Sequence, residues 1–130
     1  MLFRSNISDP FDSEVRERWG ETREFAESQR RLKKYSQNDI DQAKQELLNI
    51  TNEFAELKRT GISTDSPSAM NLVIQHREHI SRWWYECTPE IQSGLADMYI
   101  SDSRFSEYYE KVEPGLAQYV HDAIYAEVNS

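Results

Sequence analysis

The side chains best suited to chemistry in this sequence are its histidines, its single cysteine and its many carboxylates. His76 and His79 lie one helical turn apart, a spacing at which two imidazoles can bind a metal or act as general bases. No carboxylate or thiolate has the spacing that would complete a metal site. We therefore expect no metal, with both rings on the solvated face of a helix and His121 at the surface as well.

The cysteine, Cys87, directly precedes Thr88, a residue type that commonly caps a helix N-terminus. A helix N-terminus lowers the pKa of a nearby thiol, although a lone cysteine more often serves as a small buried apolar residue. The sequence has no partner for a catalytic thiolate and no glycine-rich phosphate loop, and among its 23 acidic residues Glu107 and Glu110 form no distinctive pair. We predict a protein without catalytic activity or cofactor.

Aromatic residues are concentrated in one part of the chain. Seven of the fifteen occur within about a fifth of its length, namely Trp83, Trp84, Tyr85, Tyr99, Phe105, Tyr108 and Tyr109. Gly94 lies among them inside a predicted helix, where glycine costs roughly 1 kcal/mol relative to alanine. Either a neighbouring helix crosses closely at Gly94, or the missing side chain leaves space for a ligand. The cluster indicates a cavity for a large, ring-rich ligand, with core packing as the alternative for each ring taken singly.

Size and composition exclude several classes of protein. A chain of 130 residues is one domain of ordinary size. Its formal charge of -8 and pI near 4.9 oppose binding to nucleic acid, which requires cationic side chains to displace counterions from phosphates. One cysteine excludes an internal disulfide, and the sequence has neither a secretory signal nor an apolar span of about 18 residues. We expect a monomeric, cytoplasmic domain that by itself binds neither nucleic acid nor membrane.

The periodicity predicts helices throughout most of the chain. The firmest, over residues 36–60, carries an apolar stripe of Ile40, Ala43, Leu47, Ile50, Phe54 and Leu57. Ser36 with Asp39 forms a plausible N-cap pair, and Glu46 falls on the solvent side. Four more helices are predicted over 67–85, 89–100, 103–111 and 114–128, and no strand. The fold class is therefore all-α.

The first 35 residues differ from the rest of the sequence. Residues 14–34 are charged throughout, and their apolar residues are too sparse for a self-sufficient stripe. We predict a segment that is ordered only marginally or only when it is docked. Trp19 could anchor a helical lid that closes over a ligand, and a fixed N-terminal helix packed through Trp19 is an equally good interpretation.

Three stretches of the chain are similar to a known family. They are EVRERWGETREFAESQRRLKKYS near the start, HREHISRWWYECTPEIQSGLADMYISDSRF in the middle and PGLAQYVHDAI at the end. Over about residues 12–126, in the same order, the chain resembles the TipAS antibiotic-recognition domain. That domain forms the C-terminal half of certain drug-responsive transcription activators of the MerR type.

The resemblance implies an all-α, globin-like fold with a deep cleft that binds thiopeptides and other bulky peptide-like antibiotics. It also implies a mobile N-terminal segment that folds over the ligand. The chain would then divide into a tail (1–11), a lid-like helical segment (12–35) and a globin-like antibiotic-binding domain (36–130). The ligand-binding positions that the resemblance implies are Trp19, Trp83, Cys87, Gly94, Met98, Tyr99, Phe105 and Tyr109.

Two departures from the family's pattern qualify this expectation. The family's activators begin with a winged helix-turn-helix and a dimerising coiled coil, whereas here the ligand domain follows Met1 within a few residues. We therefore do not expect direct transcriptional control by this chain, unless it is an excised piece. Members that trap thiopeptides covalently carry a cysteine where this chain has Gly94, and Cys87 matches a second cysteine of those members. We therefore expect reversible binding.

The sequence leaves three hypotheses for function. The first is non-enzymatic binding of thiopeptide-type antibiotics, either as the sensor domain of a transcription regulator or as a stand-alone sequestering protein. The second is a helical protein–protein interaction module that buries Trp19 and the aromatic residues 83–85 against a partner. The third is a globin-like domain that holds a planar cofactor through His76 or His121. The first requires a hollow among the helices, and an interior filled by the chain's own atoms would contradict it.

Overall fold

A computed structural model describes residues 23–130 of the chain. In this range it contains six α-helices and no strand: α1 Arg23–Leu32, α2 Gln37–Arg59, α3 Pro67–Trp83, α4 Pro89–Ser101, α5 Ser103–Glu110 and α6 Leu116–Val128. The all-α prediction is confirmed, and the five helices predicted after residue 35 are present with ends that differ by one or two residues. None of the described helices is long and apolar enough to cross a membrane.

The helix starts follow the capping signals in the sequence. The N–H of Asp39 donates to Ser36 Oγ over 3.1 Å, and the N–H of Ser36 donates to the Asp39 carboxylate over 3.0 Å, so the predicted N-cap pair is a full capping box. The hydroxyls of Ser66 and Thr88 cap α3 and α4 by accepting from the N–H groups of Ala69 and Ile91, without the reciprocal bond of a capping box, and each is followed by a proline that fixes the first helical φ. These caps satisfy backbone N–H groups that a helix leaves unpaired.

The start of α6 differs from the prediction. Residue 115 is a glycine in the left-handed region (φ 84°) and has no side chain to cap the helix. The Glu110 carboxylate takes that role, since it accepts from the N–H of Gly115 over 2.8 Å and from that of Ala117 over 3.0 Å. The helix therefore begins at Leu116, two residues after Pro114.

Helix α6 is the centre of the packing, because α2, α3, α4 and α5 all lie against it. The most deeply buried apolar side chains come from these helices and include Phe54 on α2, Val73 on α3, and Leu116, Val120 and Ile124 on α6. One continuous hydrophobic core runs through them and also takes in residues of α4 and α5. The core thereby positions α4 and α5, which carry most of the predicted ligand residues.

Helix α1 is attached to the C-terminal end of α3. Arg31 donates to the carbonyl of Ser81 over 2.6 Å, and the Tyr35 hydroxyl donates to the carbonyl of Trp83 over 2.5 Å. Carbonyls in the last turn of a helix have no partner within the helix, and a cation there also interacts favourably with the helix dipole. Phe25 and Leu32 are buried as well, although outside the main core. The described part of the lid-like segment, residues 23–35, is thus docked in this structure.

Candidate ligand-binding site

Four of the predicted ligand residues lie together on α4 and α5. Met98, Tyr99, Phe105 and Tyr109 are each at most 9% exposed. The ring of Tyr99 lies 4.9 Å from that of Tyr109 and 6.5 Å from that of Phe105, measured between centroids. Because these side chains contact one another within the core, they form the floor of any site here and not its open surface.

The break between α4 and α5 brings these rings together. Asp102 ends α4 in an extended conformation and caps α5, since its carboxylate accepts from the backbone N–H of Arg104 over 2.9 Å. Helix α5 consequently starts in a new direction. Phe105 and Tyr109, four residues apart on one face of α5, then pack against Tyr99 on α4.

Gly94 is half-buried on α4 and faces free space. A Cβ built on it would meet no atom within 4 Å among the described residues. In this part of the chain no neighbouring helix crosses closely enough to require a glycine, so the close-crossing interpretation loses its support. The missing side chain leaves open space on this face of α4.

Cys87 is buried immediately before α4. Its N–H donates to Ser81 Oγ over 3.0 Å, and its sulfur lies 3.7 Å from the carbonyl oxygen of Thr88. Burial raises the pKa of the Cys87 thiol to about 12, with Arg77 opposing the shift. Of the two interpretations that the sequence left for Cys87, the structure favours the small buried apolar residue, and desolvation dominates its pKa. The thiol is therefore protonated and unreactive at neutral pH.

The two neighbouring tryptophans both meet the ring of Tyr35 but differ in their other contacts. Trp83 Nε1 donates to Glu46 on α2 over 2.9 Å, and its ring meets that of Tyr35 edge to face at 5.5 Å. Trp84 is among the partly buried side chains that pack against the main core, whereas Trp83 is not. The structure thus separates Trp83 from the cluster on α4 and α5, and the sequence could not distinguish it from Trp84.

Partly buried side chains complete the cluster at its edge. They are Trp84, Tyr85, Ile91 and Tyr108, all packed on the main core. Burial raises the pKa of Tyr85, and the proximity of Tyr99, Cys87 and Glu24 adds to the shift. Tyr85 therefore belongs to the buried edge of the main core. The sequence grouped it with the aromatic cluster, but no local signal identified it as a site residue.

His76 and His79 do not lie on a solvated face of α3, which corrects the expectation from the sequence. His76 is only 2% exposed, and its Nδ1 lies 2.7 Å from the side-chain nitrogen of Gln92, while its Nε2 lies 3.5 Å from the Tyr99 hydroxyl. Burial lowers the pKa of His76 to about 3, with a smaller effect from the nearby His79 and Arg77. The imidazole is therefore neutral and serves in a buried hydrogen-bond network.

His79 is buried against α2. Its Nδ1 donates to the Glu46 carboxylate over 2.6 Å, and Arg82 donates to the other oxygen of Glu46, also over 2.6 Å. Burial lowers the pKa of His79 even though Glu46 opposes the shift. Burial alone would raise the pKa of Glu46, but hydrogen bonds from His79 and Trp83 outweigh it and lower that pKa. Glu46, expected on the solvent side, instead joins α2 to the end of α3.

Two grooves between helices lie away from the aromatic cluster. One, of about 280 Å³, runs between α2 and α3 and is lined by Glu46, Asn49, Ile50, Glu53, Gln75, Glu78, His79 and Arg82. The other has a similar volume and is lined by Glu53, Glu56, Leu57, Ser68, Asn71 and Leu72. Neither includes a predicted ligand residue, so the predicted hollow among the aromatic rings stays a prediction. Within residues 23–130 no group of histidine, cysteine and acidic side chains is arranged to hold a metal.

Comparison with known families identifies the domain. Residues 11–126 match the family model described as the TipAS antibiotic-recognition domain. The chain belongs to this family. One of the eight predicted ligand positions, Trp19, lies outside the described residues, as do the tail and the first part of the lid-like segment, residues 1–22.

Sequence relatives of this TipAS domain are transcription regulators. It is 37% identical over 118 residues to the HTH-type transcriptional activator TipA of Streptomyces coelicolor, a match that covers 91% of this chain and 47% of TipA. It is 31% identical over 115 residues to the HTH-type transcriptional activator mta of Bacillus subtilis, which covers 88% of this chain and 43% of that protein. The chain thus spans less than half the length of these two relatives.

Solved structures of the TipAS family have the same fold. The structure of TipAS from Streptomyces lividans in complex with nosiheptide superposes with a TM-score of 0.79 at 34% identity and covers 98% of this chain and 92% of its own. The antibiotic-binding domain of a TipA-class multidrug resistance transcriptional regulator superposes with a TM-score of 0.63 at 37% identity, covering 67% of this chain and 93% of its own. The predicted globin-like helical fold is confirmed.

No contact among the described residues favours the interaction-module hypothesis or the planar-cofactor hypothesis. The tryptophans that an interaction module would present to a partner make internal contacts, Trp83 with Glu46 and Trp84 with Tyr35. A planar cofactor would need a free imidazole nitrogen, and both nitrogens of His76 have side-chain neighbours. His121 stacks on Tyr125 with centroids 4.5 Å apart.

The burial of His76 predicts a loss of stability on acidification. The folded pKa of about 3 lies below the ordinary value of 6.5, so between these values the unfolded chain binds the extra proton and stability falls as pH drops. At pH 5 the loss from this one group is about 2 kcal/mol. Urea denaturation at pH 7 and pH 5 measures it.

The variant for this measurement is His76→Gln. We expect it to lose much of the difference in unfolding free energy between the two pH values, leaving the part that the buried His79 supplies. A His76→Gln protein with the full wild-type pH dependence would contradict the buried, neutral state of this imidazole.

Proposed function

We propose that this domain binds bulky, heterocycle-rich thiopeptide antibiotics reversibly and without catalysis. The observation that carries the proposal is the cluster of four buried side chains on α4 and α5, Met98, Tyr99, Phe105 and Tyr109, together with open space at Gly94 on α4, in a domain that superposes over 98% of its length on a nosiheptide-binding TipAS. The ligand would lie over α4 and α5, with Gly94 at its base and Trp84, Tyr85 and Tyr108 at its edge.

The size of the ligand follows from the free energy that must be supplied. Apolar burial contributes about 25 cal/mol per Å², and ordering a segment of roughly twenty residues costs about 1 kcal/mol or more for each. A ligand that orders part of the N-terminal segment must therefore bury a large apolar area. Small drugs should bind weakly, and large azole-containing peptides fit the requirement.

Reversible binding is supported by the two positions at which covalent chemistry could occur. Gly94 has no nucleophile, and it occupies the position of the capturing cysteine in members of the family that trap thiopeptides. Cys87 is buried, and its raised pKa keeps the thiol protonated. Neither residue supplies a thiolate to a bound antibiotic.

The biological role that fits best is a sensor. The relatives are HTH-type activators about twice as long as this chain, in which a ligand domain of this kind would report drug binding to a DNA-binding half. Sequestration of the antibiotic by the domain alone is the second role. In both we expect the chain to act in the cytoplasm, as a monomer when isolated, without contact to nucleic acid or membrane.

Nosiheptide binding tests the proposal directly. We expect nosiheptide to quench tryptophan fluorescence and to raise the melting temperature, since a ligand that binds only the folded state stabilises it. Gly94→Leu should weaken binding about tenfold or more by filling the free space, without loss of stability, because leucine is the better helix former. Absence of binding by the wild type would overturn the proposal, and equal losses of binding and stability in Gly94→Leu would mean that Gly94 is a packing residue.

A gain of covalent capture is the second test. Gly94→Cys places a thiol where a Cβ meets no described atom, so the variant should fold normally. With a thiopeptide that carries a dehydroalanine, the thiolate sulfur adds to the β carbon of the alkene and the α carbon takes up the proton, so the adduct mass is the sum of the two molecules. Mass spectrometry should detect it in Gly94→Cys and in neither the wild type nor Gly94→Ser. A wild-type adduct at Cys87 would contradict the reversible mode, and no adduct in Gly94→Cys would place the ligand elsewhere.

A further inference from the structure

The buried polar network around His76 has a fixed direction, and Arg77 sets it. Arg77 can only donate, so the atom of Gln92 that faces its Nη1 at 3.1 Å must be the side-chain oxygen. The side-chain nitrogen of Gln92 then donates to the carbonyl of Val73 over 3.0 Å and to His76 Nδ1 over 2.7 Å. If the oxygen and nitrogen of the Gln92 amide were exchanged, its NH2 group would face the donor of Arg77 and its oxygen would face the carbonyl oxygen of Val73. Neither hydrogen bond could then form. The orientation of the Gln92 amide is therefore determined.

The tautomer of His76 follows from that orientation. Since Nδ1 accepts from Gln92, it carries no proton, and the one proton of the neutral imidazole is on Nε2. Nε2 lies 3.5 Å from the Tyr99 hydroxyl oxygen and donates to it. Arg77, a residue of α3, thus sets the direction of hydrogen bonds as far as Tyr99 in the aromatic cluster on α4.

At the end of this network, the hydroxyls of Tyr99 and Tyr109 have one proton without an acceptor among the described residues. The rings of Tyr99 and Tyr109 lie 4.9 Å apart between centroids, so the two hydroxyls belong to the same buried cluster. Even if the two hydroxyls bond to each other, that bond uses only one of their two protons, and Tyr99 already accepts from His76. Within the described part of the chain neither hydroxyl has a further acceptor, although Tyr99 is only 9% exposed and Tyr109 only 3%. A buried donor without an acceptor is costly and marks a position where a ligand is expected to supply one.

We propose that the hydroxyl pair of Tyr99 and Tyr109 donates a hydrogen bond to an acceptor atom of the bound antibiotic, such as an azole nitrogen or an amide carbonyl oxygen. This inference rests on the proposed function and adds a specificity determinant to it. The protein supplies an excess donor at the floor of the site, so a ligand that presents an acceptor there is preferred over one that presents an N–H. Unprotonated azole nitrogens, which can only accept, meet the requirement.

Removal of both hydroxyls tests the donor. In the Tyr99→Phe/Tyr109→Phe variant the rings and their burial remain, and the ligand loses one hydrogen bond to a buried donor. We expect the Kd for nosiheptide to rise about tenfold at a temperature where circular dichroism shows the variant fully folded. Tyr119→Phe is the matched control, because its hydroxyl donates to the distant carbonyl of Ile62, and its Kd should equal that of the wild type.

A measurement on the free protein separates this inference from the proposed function. Nitrogen NMR of histidine-labelled protein reports which ring nitrogen of His76 has the proton, and we expect Nε2. A proton on Nδ1 would overturn the direction of the network without affecting antibiotic binding. Wild-type affinity in the double variant would overturn the donor role alone, whereas failure of the wild-type protein to bind nosiheptide would overturn both proposals.

Discussion

The side-chain amide of Gln92 is the interaction on which the site most depends. It is completely buried, and both its oxygen and its nitrogen are hydrogen-bonded, to Arg77, Val73 and His76. A buried amide without these partners would cost several kcal/mol, so the network allows one arrangement of α3 against α4. The partners of Arg77 extend the constraint to α6, because Arg77 also pairs with Glu127 over 2.8 Å.

This constraint determines where the candidate ligand residues lie. Gln92 and Tyr99 are two helical turns apart on α4 and both contact His76, so the face of α4 that is turned toward α3 is settled by polar contacts as well as by apolar burial. Gly94, between them in sequence, consequently lies on a different face of α4, where a Cβ would meet no described atom. A domain with the same apolar stripe but without this network would have more freedom to rotate α4, and with it the site.

Much of the fold follows from local sequence signals. The apolar stripe of α2, the capping box at Ser36 and the Ser-Pro and Thr-Pro helix starts each depend on residues within one or two turns, and all were predicted. The features that the sequence did not reveal depend on distant contacts. His76 and His79 lie among polar neighbours in sequence, and only Gln92 and Glu46 on other helices account for their burial. The capping of α6 by Glu110 likewise requires the turn between α5 and α6 to be known.

The candidate site likewise combines features that local sequence signals predict with features that depend on distant contacts. The sequence identified the aromatic cluster and the unusual glycine, since both are visible as composition and spacing, and the structure brings Met98, Tyr99, Phe105 and Tyr109 together. It could not decide between Trp83 and Trp84, because adjacent residues differ by only about 100° around the helix and the end of α3 sets which one meets the core. It also left two interpretations of the Cys87 thiol open, because the thiol pKa depends on burial that only the folded structure shows.

The central claim is that the antibiotic lies over α4 and α5 and not in the polar groove between α2 and α3. Backbone amide chemical shifts of the labelled domain, recorded during a titration with nosiheptide, test it most directly. The account predicts that the largest changes among residues 23–130 occur between Trp84 and Tyr109, with Gly94 among them. Largest changes at the groove residues Glu46, Glu53, Gln75 and Glu78, with residues 84–109 unaffected, would contradict it.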